Sequence, residues 1–191
     1  MESRTLTSPD EMVAPDTSTT SAGHDRATLF RRLGRENLDS SYRLARAILG
    51  DSLAAEDAVH DAFVTAWRKW HTLRDVSRFE AWFHRILVNT CRNQLKRASR
   101  IRITDISSAP HLAIDDPHIA SSPERQAIDE AMKDLGDDHR IVLALRYYRD
   151  LTVDDIADLL GIRPGTVKSR LHHAQRKLRA ALERQQRMEG M

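Results

Sequence analysis

The sequence predicts an all-α protein with two small helical domains joined by a flexible acidic linker. Apolar residues recur every three or four positions through two blocks, at about residues 25–100 and 122–187, which is the period of a helix with one buried face. No segment alternates apolar and polar residues as a strand would. The stretch between the blocks, 101–121, is rich in proline, serine and aspartate, and it has no lysine or arginine after position 102. That composition is typical of an extended tether.

The bulk composition indicates an intracellular protein with patterned charge. The 191 residues carry a formal net charge of only +2, so the chain is not a bulk polycation. Cys91 is the single cysteine, which excludes an internal disulfide. Residues 1–24 are rich in Ser, Thr, Asp and Pro, and we expect a disordered tail there. Because no signal peptide or membrane-length apolar run is present, we expect a cytoplasmic protein without membrane insertion.

The first block contains three helix signals. Apolar positions over 29–49 mark the first helix, which we expect to break near Gly34 and to end at Gly50. A second apolar stripe covers 55–70. The third helix is expected to begin with a capping box between Ser77 and Glu80, in which each side chain satisfies a free backbone amide of the first turn.

The second and third helices of this block expose faces of opposite charge. Opposite the apolar stripe, the second helix carries Glu56, Asp57, His60 and Asp61. The third helix places basic and amide side chains on one line, at Arg78, Arg85, Asn89, Arg92 and Lys96. Between positions 78 and 102 there are seven basic residues and one acid. Two such faces favour two different partners, although either face alone could simply be solvated.

The second block contains a helix-turn-helix pattern. Thr152 and Asp155 form a capping box before an apolar stripe. Gly161 ends that helix and permits a tight turn, and Pro164 suits the first position of the next helix. The second of these helices is anchored on one side by a regular apolar row, at Val167, Leu171, Ala174, Leu178 and Leu182.

The opposite side of this last helix is built to meet DNA. From 162 to 187 there are eight basic residues and one acid, Glu183, and neutralised phosphates supply most of the sequence-independent affinity for DNA. Small and polar side chains near the helix start allow close approach to base edges in the major groove. An ordinary amphipathic helix with a solvated basic face is the alternative that the turn, the caps and the charge together disfavour.

Three stretches in this order resemble a known family. They are AAEDAVHDAFVTAWR (54–68), AWFHRILVNTCRNQLKR (81–97) and LTVDDIADLLGIRPGTVKSRLHHAQRKLR (151–179). Together they resemble bacterial sigma factors of the extracytoplasmic-function (ECF) group within the sigma-70 family, and the match extends over about 25–182. The resemblance implies a region 2 domain at 25–100 and a region 4 domain at 122–187.

The resemblance also implies partners and residue roles. The partners would be core RNA polymerase, promoter DNA and an anti-sigma factor, with the free protein a monomer that needs no cofactor. A docking face for core polymerase would contain Asp57, His60, Asp61 and Phe63. A minus-ten face, for the melted promoter strand, would contain Arg85, Asn89, Arg92 and Lys96. A recognition face, for the duplex minus-thirty-five element, would contain Arg163, Thr166, Lys168, Ser169, Arg170, His172, His173 and Arg176.

Two other functions are compatible with parts of the sequence. His60 with the neighbouring carboxylates could form a metal site, but an exposed acidic helix with one histidine explains the same residues, and no catalytic motif is present. We therefore expect neither an enzyme nor a metalloprotein. The stronger alternative is a stand-alone helix-turn-helix regulator, which would bind duplex DNA without polymerase. That class has no need of the acidic and basic faces of the first block.

Overall fold

The computed structural model describes residues 17–104 and 123–189, and within these ranges the chain is helical with no strand. The all-α prediction is therefore confirmed. Three helices form an N-terminal bundle: α1 (Thr17–Leu49), α2 (Ser52–Arg68) and α3 (Phe79–Thr104). Four helices form a C-terminal bundle: α4 (Pro123–Lys133), α5 (Asp137–Tyr148), α6 (Val153–Leu160) and α7 (Pro164–Glu189).

The outer limits of the helical blocks differ from the sequence prediction. Helix α1 begins at Thr17, inside the segment expected to be a disordered tail, and α3 continues to Thr104, inside the predicted linker. The rest of the predicted tail and linker, residues 1–16 and 105–122, lies outside the described residues.

Two local predictions in the N-terminal bundle are wrong. Helix α1 passes through Gly34 without a break. The missing side chain at Gly34 makes room for the Phe63 ring of α2. A Cβ built on Gly34 would lie 3.4 Å from the Phe63 ring, so the glycine allows α2 to approach closely. The end of α1 at Gly50 is confirmed, with a left-handed φ of 75°.

The start of α3 is capped differently from the prediction. Asp75 caps the 3-10 turn Val76–Arg78 that leads into the helix, and it accepts hydrogen bonds from the Ser77 backbone N–H at 2.9 Å and the Ser77 hydroxyl at 2.7 Å. These bonds hold the pKa of Asp75 below its usual value. With Ser77 already bonded to Asp75, Glu80 is released from a capping role and pairs with Arg149 of the C-terminal bundle.

An aromatic cluster fills the centre of the N-terminal bundle. Phe63 stacks on Phe83 with ring centroids 4.4 Å apart, and Phe79 stacks on Phe83 at 5.6 Å. Phe30 of α1 meets Phe63 edge-on at 6.3 Å. Offset and edge-to-face pairs of this kind add specific geometry to the burial of apolar area. The cluster fixes α2 and α3 side by side, so that their polar faces point away from it.

The two bundles pack against each other. Helix α1 lies along α5, and one continuous cluster of buried apolar side chains joins the bundles. A Cβ built on Gly50 would lie 3.5 Å from Arg140 Nη1 and 3.6 Å from Lys133 Cγ. The start of the C-terminal bundle therefore covers the end of α1. No helix in the described part of the chain is long and apolar enough to cross a membrane.

Candidate nucleic-acid interface

The helix-turn-helix forms as the sequence predicts. The Thr152 hydroxyl accepts the Asp155 backbone N–H at 3.2 Å, and the Asp155 carboxylate accepts the Thr152 backbone N–H at 3.1 Å, so the capping box is complete. Gly161 ends α6 with a left-handed φ of 66°. Helix α7 begins at Pro164, where a missing N–H costs no hydrogen bond. These local signals fix the angle between α6 and α7.

The recognition face lies on the exposed side of α7. Val167 and Ala174 are fully buried against the rest of the bundle, which orients the opposite side toward solvent. Six members of the face are exposed: Arg163, Lys168, Ser169, His172, His173 and Arg176. Thr166 and Arg170 are half-buried. A helix with this exposure can enter a major groove, with small residues at its start and cations along both edges.

Helix α5 braces the recognition helix through side chains that the sequence did not single out. Asp138 accepts a hydrogen bond from Arg170 Nη2 at 2.6 Å. The Tyr147 hydroxyl accepts one from Gln175 Nε2 at 2.7 Å. His139 meets the His173 ring edge-on at 6.5 Å. Its pKa is lowered by partial burial and then by the cations and imidazole beside it, which favours neutral His139.

The minus-ten face lies along α3. Asn89, Lys96 and Arg85 are exposed, and Arg92 is half-buried. The spacing of four, three and four residues keeps them on one side of the helix. Arg85 already has a partner: its Nη2 donates to the Asp158 carbonyl oxygen of α6 at 3.0 Å. The basic track is thus present, and one end of it contacts the C-terminal bundle.

The docking face lies on α2, with one residue placed differently from the others. Asp57, His60 and Asp61 are exposed. Phe63 is half-buried in the aromatic cluster and against Gly34, so it shapes the helix packing. Apolar side chains flank the exposed polar ones on α2: Leu53 is 62% exposed, Trp67 43% and Val64 36%. The sequence placed Trp67 on the inner stripe. Its ring meets Phe30 edge-on at 5.1 Å and stays partly exposed, near the end of α2.

His60 and Cys91 are side chains that can carry other chemistry, as a metal ligand and as a reactive thiol. In the described residues, no group of three or more His, Cys, Asp or Glu side chains is arranged to hold a metal ion. Cys91 is fully buried, and burial raises the pKa of its thiol to about 12. A thiol in such a position is a small packing residue and an unreactive one.

Comparison with known proteins identifies the class that this fold and these faces define. Residues 33–101 match the family model for sigma-70 region 2, and residues 131–180 match sigma-70 region 4. The ECF RNA polymerase sigma factor SigL of Mycobacterium tuberculosis is 35% identical over 162 residues, which cover 82% of this chain and 90% of SigL. The RNA polymerase sigma-E factor of Streptomyces avermitilis is 29% identical, over 84% of this chain and 88% of the relative.

Solved structures show the same fold. The sigma factor RpoE of Bartonella quintana, in complex with the anti-sigma factor NepR, matches with a TM-score of 0.66 and 26% identity. The match covers 80% of this chain and 98% of RpoE, so it includes both bundles. CnrH, in complex with the cytosolic domain of CnrY, matches with a TM-score of 0.57 and 24% identity.

The chain belongs to the ECF group of RNA polymerase sigma factors. Members of this family bind core RNA polymerase and promoter DNA, so the protein directs transcription from promoters as a sigma factor. A stand-alone helix-turn-helix regulator would match neither the family model over residues 33–101 nor the sigma factor relatives.

Proposed function

We propose that this sigma factor divides promoter binding between three faces of the described helices. The recognition face of α7 reads the minus-thirty-five duplex, the minus-ten face of α3 holds the melted strand, and the α2 docking face binds core polymerase. The observation that carries the proposal is the separation of charge. The acidic carboxylates of α2 and the basic row of α3 lie on different helices, held apart by one aromatic cluster.

Within the recognition face, position along the helix separates two roles. Lys168, Ser169, His172 and His173 are free to approach base edges in a major groove. Arg163 lies just before α7, Thr166 lies in its first turn and Arg176 lies about one turn beyond His172. These three side chains suit phosphate contacts, which set affinity and register. Arg170 is held by Asp138, so it contributes a positioned charge beside the groove.

On α2, the polar docking residues are supported by apolar ones. Asp57, His60 and Asp61 supply orientation and charge, and exposed Leu53, Val64 and Trp67 supply apolar contact area. Phe63 contributes indirectly, because its ring packs against Gly34 and sets the distance between α2 and α1. The chain would act in the cytoplasm as an initiation factor, not as an enzyme. By analogy with the solved complex of RpoE and the anti-sigma factor NepR, an anti-sigma factor is its proposed regulator.

A single transcription assay tests the three faces separately. Purified bacterial core RNA polymerase transcribes a template library with randomised minus-ten and minus-thirty-five windows, with and without the protein, and the transcribed templates are sequenced. We expect His172→Ala to change base preference in the minus-thirty-five window only, and Asn89→Ala in the minus-ten window only. Each should relax discrimination about tenfold, because a good base contact contributes about 1–3 kcal/mol.

A variant of the docking face should change transcript amount and leave base preference unchanged in this assay. Asp61→Arg should lower all transcripts together without changing either preference, because it weakens polymerase binding and not DNA reading. Asp39→Arg is the matched control, since Asp39 is an exposed carboxylate on α1 outside the three faces. Transcripts that do not depend on the protein, or a window preference that moves with Asp61→Arg, would overturn the assignment.

A further inference from the structure

The first turn of α5 lies against the middle of the recognition face. Asp138 accepts a hydrogen bond from Arg170 Nη2 at 2.6 Å. The next residue of α5, His139, meets the His173 ring edge-on at 6.5 Å. Because Arg170 and His173 are three residues apart, they are neighbours on one side of α7. Two adjacent side chains of α5 therefore contact two neighbouring members of the recognition face.

The bond between Asp138 and Arg170 gives the arginine a direction. Hydrogen bonds in which both partners are ionised are short and strong. A guanidinium carries five N–H donors in a rigid fork, so a bond at Nη2 orients the whole group and leaves further donors for DNA. The Arg170 side chain is only 25% exposed, which narrows its range of movement. Since the pair has no net charge, it supplies orientation and little general attraction to phosphate.

His139 limits the orientation of His173 in a different way. The His173 ring has an imidazole on two sides, His139 of α5 at 6.5 Å and His172 of α7 at 5.7 Å, both edge-on. Partial burial lowers the pKa of His139, and the charge of Lys177 lowers it further. A neutral His139 adds no repulsion to the basic side of α7. It can therefore stay beside His173 and restrict how that ring turns toward a groove.

We infer that Asp138 and His139 are positioning residues for promoter specificity, which hold Arg170 and His173 in the orientations that read the minus-thirty-five element. They act through these two side chains of α7. Helix α5 thus contributes to base discrimination although it precedes the helix-turn-helix in the chain. The inference rests on the proposed assignment of α7 to the minus-thirty-five duplex.

The template library assay tests the inference with full-length protein and core polymerase. Asp138→Asn keeps the size of the side chain and removes its charge, so Arg170 loses its partner without a cavity. Base discrimination in the minus-thirty-five window should relax about three- to tenfold, the coupling typical of contacting side chains, and the minus-ten preference should not change. Asp138→Glu keeps the carboxylate and should retain most of the discrimination. Circular dichroism checks that the variants remain helical.

Double variants test whether the α5 residues act through α7. When Asp138→Asn is added to Arg170→Gln, the minus-thirty-five preference should change by less than about twofold, since the group that Asp138 orients is already gone. His139→Ala added to His173→Ala should likewise have little further effect. Full, additive effects in both double variants would show that the α5 residues act independently of Arg170 and His173, and would overturn the inference.

Two controls separate positioning from general support of α7. Tyr147→Phe removes another hydrogen bond between α5 and α7, to Gln175, which lies outside the recognition face. Asp134→Asn removes the same charge from a carboxylate that pairs with Arg184, about 21 Å further along α7 than Arg170 at 1.5 Å per residue. Neither should change the minus-thirty-five preference.

The outcomes distinguish this inference from the proposed function. An unchanged minus-thirty-five preference in Asp138→Asn, or an equal relaxation in Tyr147→Phe, would overturn the positioning role. If the wild type shows no minus-thirty-five preference, or if His172→Ala leaves that preference intact, the assignment of α7 itself is wrong.

Discussion

His84 shows how one buried side chain can make stability depend on pH. It lies on α3 with its side chain almost fully buried, and Nε2 has no hydrogen-bond partner in the described part of the chain. Burial lowers the pKa of His84 from 6.5 to about 4, because the imidazolium would lose its hydration without gaining a partner. The folded protein therefore keeps this group neutral where the unfolded chain would protonate it.

The sign of the effect follows from proton binding. Between pH 6.5 and about 4 the unfolded state binds the proton and the folded state does not, so stability is present above pH 6.5 and is lost as pH falls toward 4. We expect His84 to account for a loss of about 2 kcal/mol between roughly pH 7 and pH 5. Urea unfolding of wild type and His84→Leu at both pH values measures the difference, which should shrink in the variant.

Exposed His71 provides the matched control for that experiment. His71→Leu should keep the pH dependence of the wild type, because it removes an exposed side chain and leaves the buried His84 in place. A His84→Leu protein with an unchanged dependence would show that His84 is protonated at no cost, and the buried, unpaired description of this residue would be wrong.

At the scale of the element, the helix-turn-helix was predictable because its signals are local. A capping box, a glycine stop and a first-turn proline each act within a few residues, and α6 and α7 form around them. The start of α3 was mispredicted for the opposite reason. Asp75 lies closer to Ser77 in the chain than Glu80 does, and Glu80 finds Arg149 across the bundle interface. No local spacing in the sequence predicts that Glu80 pairs with Arg149, which lies 69 positions later.

In the candidate faces, too, some residues could be located from local sequence pattern and others could not. Exposed residues such as Lys168 and Asp57 could be located from helical period alone, because a residue opposite an apolar row faces solvent. The half-buried position of Phe63 could not be predicted in this way, because it depends on Gly34 of another helix. Asp138 and Tyr147 were missed because their contacts with α7 exist only after α5 has packed beside it. Local pattern predicts the element, and tertiary packing decides which of its side chains remain available.

Two glycines of the helix-turn-helix give an element-scale prediction. Gly161 has a left-handed φ of 66°, and a Cβ there would meet nothing within 4 Å, so Gly161→Ala isolates backbone strain and should cost about 1–2 kcal/mol. Gly165 also has open space but lies within α7, so Gly165→Ala should be neutral or stabilising by up to about 1 kcal/mol. Urea midpoints of the two variants compare them, and equal losses would contradict the assigned turn conformation.

At the scale of the whole molecule, the packing between the two bundles determines how tightly the separated halves of the chain would bind each other. A linking segment as short as the 18 residues of 105–122 gives two joined bundles an effective concentration on the order of 1 mM. If the packed arrangement is about one hundredfold favoured over the separated one, a preference of roughly 2.7 kcal/mol, the separated bundles should bind each other with a Kd on the order of 10 μM.

A protease site inserted within residues 105–122 makes this Kd measurable. After cleavage, the two halves should remain associated in sedimentation experiments above about 10 μM and separate well below it. In Glu80→Arg the association should weaken at least about tenfold, because the bundle interface then opposes like charges at Arg149. Association that persists at nanomolar concentration, or no association at about 1 mM, would contradict the hundredfold preference for the packed arrangement of the bundles.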